Sequence, residues 1–238
     1  MVSDRMAAVL ALLDRTGANG AGGLSHLASA AACDVLGVDG ISAGVGTGPE
    51  GPALAWSGTA VSTSLENSQF TLGEGPGLDA ATSGAPVLIS DLRAAQVRWL
   101  AFAPAALGLG VCAVFAFPLR IGVISVGVLV AQRGTPGPLS AEQLTDALAL
   151  ADTVTIALLD RQAADGGSAD RAPTGWAAPV TYRAEVHQAT GMISVQLGVT
   201  LAEALVRLRA HAWAGDRLLA DVAADVVARR LRFDETNL

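Results

Sequence analysis

The segment VCAVFAFPLRIGVISVGVLVA, residues 111–131, constrains this chain most, because it is long and apolar enough to be weighed as a membrane span. A spanning helix needs about 20 uninterrupted apolar residues. Here Pro118, Arg120 and Gly122 break the run into two pieces of strand length. A proline inside a helix removes a hydrogen bond and clashes with the turn before it. The reading is therefore two buried strands, 111–117 and 123–132, at the heart of a sheet. At the start of the chain, MVSDRMAAVLALLDR carries acidic residues on both sides of a short apolar stretch, without the basic leader of a signal peptide. A cytoplasmic protein with no membrane partner is expected.

Other elements fall into place around those strands. Apolar residues within 4–14, and then Leu24, Leu27, Ala28, Ala31 and Val35, recur at helical spacing. GISAGVG and ALAWSG, separated by the turn GTGPEGP, read as a β-hairpin. The segment TLGEGPGLDAATSGAPVLISDL reads as loop-rich with a strand at 87–89, followed by a helical pattern over 94–107. Ser140 and Gln143 have the spacing of a capping box, and Leu144, Leu148, Ala151, Thr155 and Leu158 make an apolar stripe behind it. The sum is an α+β domain over residues 1–163, a mostly antiparallel sheet flanked by helices.

The pattern stops at ADGGSADRAPTG, too polar and too rich in glycine to pack, so 164–179 reads as a linker. Residues 180–238 then hold three helical segments: 182–197, one from Thr200 capped by Glu203, and 218–232 with Leu219, Val222, Ala223, Val226 and Val227 inward. An all-α three-helix domain is expected there.

Charge divides in the same place. All 15 basic residues are arginines, and the net charge is −7. Up to Pro179 there are eight arginines against fifteen acids; from Val180 on there are seven of each. A low overall pI therefore leaves nucleic acid open as a partner of the second domain, because phosphate contact depends on local fields. Arg229, Arg230 and Arg232 cluster at its end. They suit either an RNA surface or a solvated cap that complements the helix dipole.

Several chemistries are set aside. Cys33 and Cys112 are too few and too far apart for a disulfide framework or a metal site. His26, His187 and His211 match no metal-ligand spacing, and no Ser/His/Asp or Cys/His set assembles. Gly73, Gly75 and Gly77 lack the spacing and the following lysine of a phosphate loop. No catalysis, metal or cofactor is expected.

With these residues laid out, HQATGMISVQLGVTLAEALVRLRAHAWAGDRLLADVAADVV resembles the ANTAR family of three-helix RNA-binding antitermination domains. The resemblance lies in Ala189 and Gly191, then Gly198, Thr200, Glu203 and Ala204, then Leu208 and Arg209, then Leu219, Val222 and Ala223. The chain departs from the family pattern at Thr190, where lysine is frequent, at Ser194 and at Leu205. Residues 21–160 resemble a GAF domain through LGEGPGLDAATSGAPVLISDL, RWLAF, GVCAVFAFPL and GVISVGVLVAQRGTPGPLSAEQL in the family's order. Together they imply a bacterial GAF-ANTAR regulator, in which a ligand or signal sensed by the first domain controls binding of the second to tandem hairpins in mRNA leaders. A homodimer is implied too. The alternative is a ligand-sensing interaction protein whose bundle serves dimerisation or docking.

Candidate RNA contacts are Arg183, Gln188 and Thr190 on the first helix, Arg207, Arg209 and His211 on the second, and Arg217, Arg229 and Arg230 on the third. Tyr182 and Trp213 are candidates for base stacking or for packing between helices. In the first domain Trp99, Phe102, Phe115 and Phe117 are candidates for lining a ligand pocket or for filling the core.

Overall fold

A computed structural model describes residues 2–18, 26–46, 51–164, 180–215 and 217–234, including the side chains of 2–13, 28–46, 51–160, 184–215 and 217–234. The chain divides into two compact units, Met1–Ala177 and Ala178–Leu238. The linker read over 164–179 falls, from residue 165 on, outside the described residues.

The long apolar run forms the hairpin β4 (Ala113–Ile121) and β5 (Ile124–Arg133). Strand β4 continues through Pro118 and Arg120, four residues further than its sequence suggests. It can do so because β3 (Val87–Ile89) pairs only with Val114–Ala116, so Pro118 lies where β4 has a neighbour on one side alone. The hairpin β1 (Gly40–Val45) and β2 (Ala53–Ser57) completes an all-antiparallel sheet of order β2-β1-β5-β4-β3.

Strand alternation splits the unit's core into two layers. Ala113, Phe115, Phe117 and Leu119 of β4 face one side, with Ile41, Leu129 and Ala131, beneath α1 (Asp4–Ala18), α2 (His26–Leu36) and α6 (Ala141–Ala164). Val114, Ala116, Val128 and Val130 face the other side, beneath α3 (Ala60–Leu72), α4 (Pro76–Ser83) and α5 (Phe102–Gly108). Each fully buried leucine or phenylalanine contributes about 1.5–3 kcal/mol of transfer free energy. The two layers thus hold the sheet from both faces.

The capping box ahead of α6 forms: Ser140 N–H donates to Gln143 Oε1 (2.9 Å) and Gln143 N–H to Ser140 Oγ (3.1 Å). Three elements differ from the sequence reading. α3 lies where no element was expected, and α4 replaces part of a presumed loop. α5 is confined to seven residues, the region from Leu92 to Arg98 forming turns instead of a first helical half.

In the second unit α7 (Val180–Leu197), α8 (Leu201–Ala214) and α9 (Leu219–Val227) pack around Val186, Ala189, Ile193, Leu205, Leu208, Val222 and Val226. α8 begins at a reciprocal capping box, with Thr200 N–H donating to Glu203 Oε2 (3.0 Å) and Glu203 N–H to Thr200 Oγ1 (3.3 Å). α9 stops short of the expected 232, because Arg229 turns the backbone left-handed (φ 59°). Among the described residues no single helix is long and apolar enough to cross a membrane.

Candidate functional site

In the first unit the polar chemistry lies between α3 and the sheet. Ser42 of β1 donates to Glu66 Oε1 (2.9 Å), Gln69 Nε2 donates to the same oxygen (3.2 Å), and Ser62 donates to Gln132 Oε1 (2.9 Å). All five side chains are buried. Buried polar groups of this kind are tolerated only when hydrogen-bonded, so they fix the distance between α3 and the strands.

The turn GEGPG is built onto this network. Gly77 N–H donates to Gln69 Oε1 (2.6 Å), and Pro76 starts α4 where its missing N–H is not needed. Gly75 has φ 143°, and a Cβ there would lie 2.6 Å from Gln69 Oε1. Only glycine admits both the conformation and that close approach. The Glu74 carboxylate reaches across to accept from Ala101 N–H and Phe102 N–H, both at 2.7 Å, and so satisfies the start of α5. The glycine turn is thus a joint between three helices.

The four aromatic candidates do not come together. Trp99 and Phe102 meet edge to face (centroids 6.2 Å, 82°) in the layer beneath α3–α5, and Arg98 stacks on Trp99 (4.6 Å) while pairing with Asp79 (2.7 Å). Phe115 and Phe117 lie on the opposite face of the sheet, in the layer beneath α1, α2 and α6. β4 alternation forces this division, so the four cannot line one pocket. Sequence reasoning missed Glu66 and Gln69, because the largely polar buried face of α3 carries no apolar period by which to find them, and with them Ser42 of β1 and Gln132 of β5, polar residues within apolar strands.

The thiol of Cys33 is pushed up to about 11 by burial, with Asp34 and Asp39 adding to the rise against a hydrogen bond from Ser29. It is a poor nucleophile at neutral pH. Among the described residues no group of three His, Cys, Asp or Glu side chains comes together to hold a metal ion.

In the second unit the candidates separate by exposure. Gln188, Arg217, Arg229 and Arg230 are exposed, and Arg207, Arg209 and His211 are half-buried, His211 resting against Phe233 (centroids 5.2 Å). Trp213 is 72% exposed. The side chains of Tyr182 and Arg183 lie outside the described residues. Thr190 is a correction: it is completely buried, and its hydroxyl donates to Val186 C=O (2.7 Å). It cannot touch RNA from there, and a helix-interior threonine satisfies itself in this way. Ser194 likewise bonds inward, to Val199 C=O (2.6 Å).

Two carboxylates of this unit sit below their ordinary range. Thr200, by its backbone N–H and then its hydroxyl, holds Glu203 down; hydrogen bonds from Arg217 and then Arg230 hold Asp225 down. A depressed folded value means the stabilisation is present above the unfolded carboxylate value, about 4, and is lost as pH falls through the folded one. Hydrogen exchange of α8 and α9 amides in the intact chain should therefore show flat protection from neutral pH down to that value and falling protection below it. In Glu203→Gln the acid loss at α8 should shrink.

No protein-family model matches the chain, and a comparison with curated proteins finds no match. Among solved structures it is similar to the GAF domain of a phosphoenolpyruvate-protein phosphotransferase from Acinetobacter (14% identity, 69% of this chain and 99% of that one, TM-score 0.49). It is similar also to the corresponding GAF domain from Coxiella burnetii (19%, 69% and 99%, TM-score 0.48). A third is the GAF-B domain of DevS from Mycobacterium smegmatis (22%, 60% and 96%, TM-score 0.41).

Proposed function

We propose that the chain is a signal-responsive RNA-binding regulator. A GAF-like sensor, residues 1–163, is joined by a linker, 164–179, to an RNA-binding bundle, 180–238. The bundle binds tandem hairpins in the leader of a nascent mRNA, in the cytoplasm and as a homodimer, and so keeps a terminator from forming. A ligand or signal at the sensor governs this only by favouring one conformational state over another.

The observation that carries the RNA reading is Gly191. Its helix would gain about 1 kcal/mol from alanine there, yet a Cβ at this position would meet nothing within 4 Å. Internal packing therefore does not require the glycine, while its neighbour Ala189 is completely buried. The bare backbone is explained if a partner's backbone approaches from outside. Exposed Gln188, three residues before it on the same helix, the α8 arginines Arg207 and Arg209, and Arg217, Arg229 and Arg230 on either side of α9 supply the hydrogen bonds that RNA takes.

Gel-shift titration of the full chain with its own leader hairpins and with scrambled stems, with and without cell extract, tests this. A salt-dependent preference for the hairpins is expected; equal binding to both overturns it. Gly191→Ala should stabilise α7 and weaken hairpin binding. A second reading, a dimerisation or docking bundle, draws on the exposed apolar Val206 (61%) and Trp213 on α8. It predicts instead that Gly191→Ala alters the sedimentation of the protein and leaves RNA untouched.

A further inference from the structure

Helix α9 ends in an unusual way. Arg229 N–H donates to Val226 C=O (3.0 Å) and Arg230 N–H to Asp225 C=O (2.8 Å), the paired closure in which the left-handed residue is ordinarily glycine. Here it is arginine, and a Cβ in that conformation crowds the neighbouring carbonyl. Strain of this kind persists where the side chain it places has a use.

Asp225 is also the centre of an ion cluster. Its Oδ2 accepts from Arg217 Nη2 (2.5 Å) and its Oδ1 from Arg230 Nε (2.7 Å). One arginine comes from the chain ahead of α9 and the other from just beyond its end, so a single carboxylate grips guanidinium groups arriving from two directions. The arginine side chains remain 40% and 65% exposed, and the aspartate is the covered member at 22%. Exposed ion pairs add little to stability. Two arginines on one carboxylate leave a net positive group, with Arg229 exposed next to Arg230 in the chain, and each of the two bound guanidinium groups has further N–H donors beyond the one bound here. Forks held in place lose less freedom when they take an anion.

We infer that Asp225 is a positioning residue for a phosphate site made by Arg217, Arg229 and Arg230, whose ligand is a phosphodiester of the RNA backbone. This rests on the RNA-binding reading above. The carboxylate holds one edge of Arg217 and of Arg230 and leaves the remaining N–H groups aimed outward at phosphate oxygens; Arg229, turned left-handed beside them, closes the site. Its ionised form is favoured by both arginines. A carboxylate that merely neutralised the arginines would weaken RNA binding, whereas one that positions them strengthens it despite its charge. The two roles differ in sign.

The test is a salt series of binding between the full chain and a fluorescein-labelled RNA of two short-loop hairpins. Arg217→Ala and Arg230→Ala should each lower the slope of log affinity against log salt by about one. Asp225→Asn should weaken binding about tenfold although it removes a negative charge, and should add nothing in the Arg217→Ala/Arg230→Ala background. Circular dichroism checks that each variant keeps its helices. If Asp225→Asn disturbs α9, Arg229→Gly, which suits the turn, carries the test: equal or higher stability with weaker binding. Equal or tighter binding by a folded Asp225→Asn, unchanged slopes in the arginine variants, or unaltered binding by Arg229→Gly overturns the site while the RNA reading stands. Failure of the parent chain to bind this RNA overturns both.

Discussion

Gly127→Ala should unfold the first unit under conditions in which the parent chain is stable. Gly127 lies in β5 between Val45 of β1 and Leu119 of β4, so strands flank it on both sides. A Cβ there would overlap the Gly44 carbonyl oxygen and come within 3.1 Å of the Val45 Cα, all backbone atoms. A flexible side chain could swing away; a strand cannot move without breaking its ladder. Overpacking of this kind costs about 3 kcal/mol or more, a large part of the 5–15 kcal/mol that keeps a domain folded. Urea unfolding followed by tryptophan fluorescence checks it, and a midpoint equal to the parent's would contradict the sheet register.

Phe117→Ala should be nearly as damaging, at about 3–5 kcal/mol. Phe117 is completely buried in the layer with Phe115, Leu129 and the inward faces of α1, α2 and α6. Deleting the ring removes its contacts and leaves a cavity that the central strand cannot collapse to fill. The same variant separates core from pocket. If Phe117 lined a ligand site, its loss would alter a signal response with modest effect on stability; as a core residue it should lower the unfolding midpoint and leave the layer around Trp99 and Phe102 to do any sensing.

Much of this architecture is legible in the residues themselves. Pro118, Arg120 and Gly122 cut the apolar run into the β4–β5 hairpin, and both capping boxes, Ser140 with Gln143 and Thr200 with Glu203, fix helix starts to the residue. α3 is silent because its buried face is Ser62, Leu65, Glu66, Gln69 and Phe70, three of the five polar, which dilutes the apolar period. α4 is hidden by Gly75, Pro76 and Gly77, residues that signal a turn until Gln69 and Val130 are seen packed against them.

The candidate sites were legible less completely, for geometric reasons. Residue type alone grouped Phe115 and Phe117 with Trp99 and Phe102, while the two-residue period of β4 assigns the first pair to the opposite face. Thr190 looked available because it stands beside Gly191, yet one step along α7 turns a side chain by about 100° and carries it into the bundle. The arrangement of Arg217, Asp225 and Arg230 follows no helical spacing, since one arginine precedes α9 and the other follows it. The closure at Arg229 folds Arg230 back to the carboxylate that Arg217 reaches from ahead of the helix.

The most direct test of the central proposal is terminator read-through in transcription reconstituted on the chain's own leader template, with the parent protein and with Gly191→Ala. Read-through should rise with added parent protein, depend on intact tandem hairpins in the leader, and fall away with Gly191→Ala although that variant is the more stable. Read-through that stays at the protein-free level while the protein is bound to the leader would contradict it.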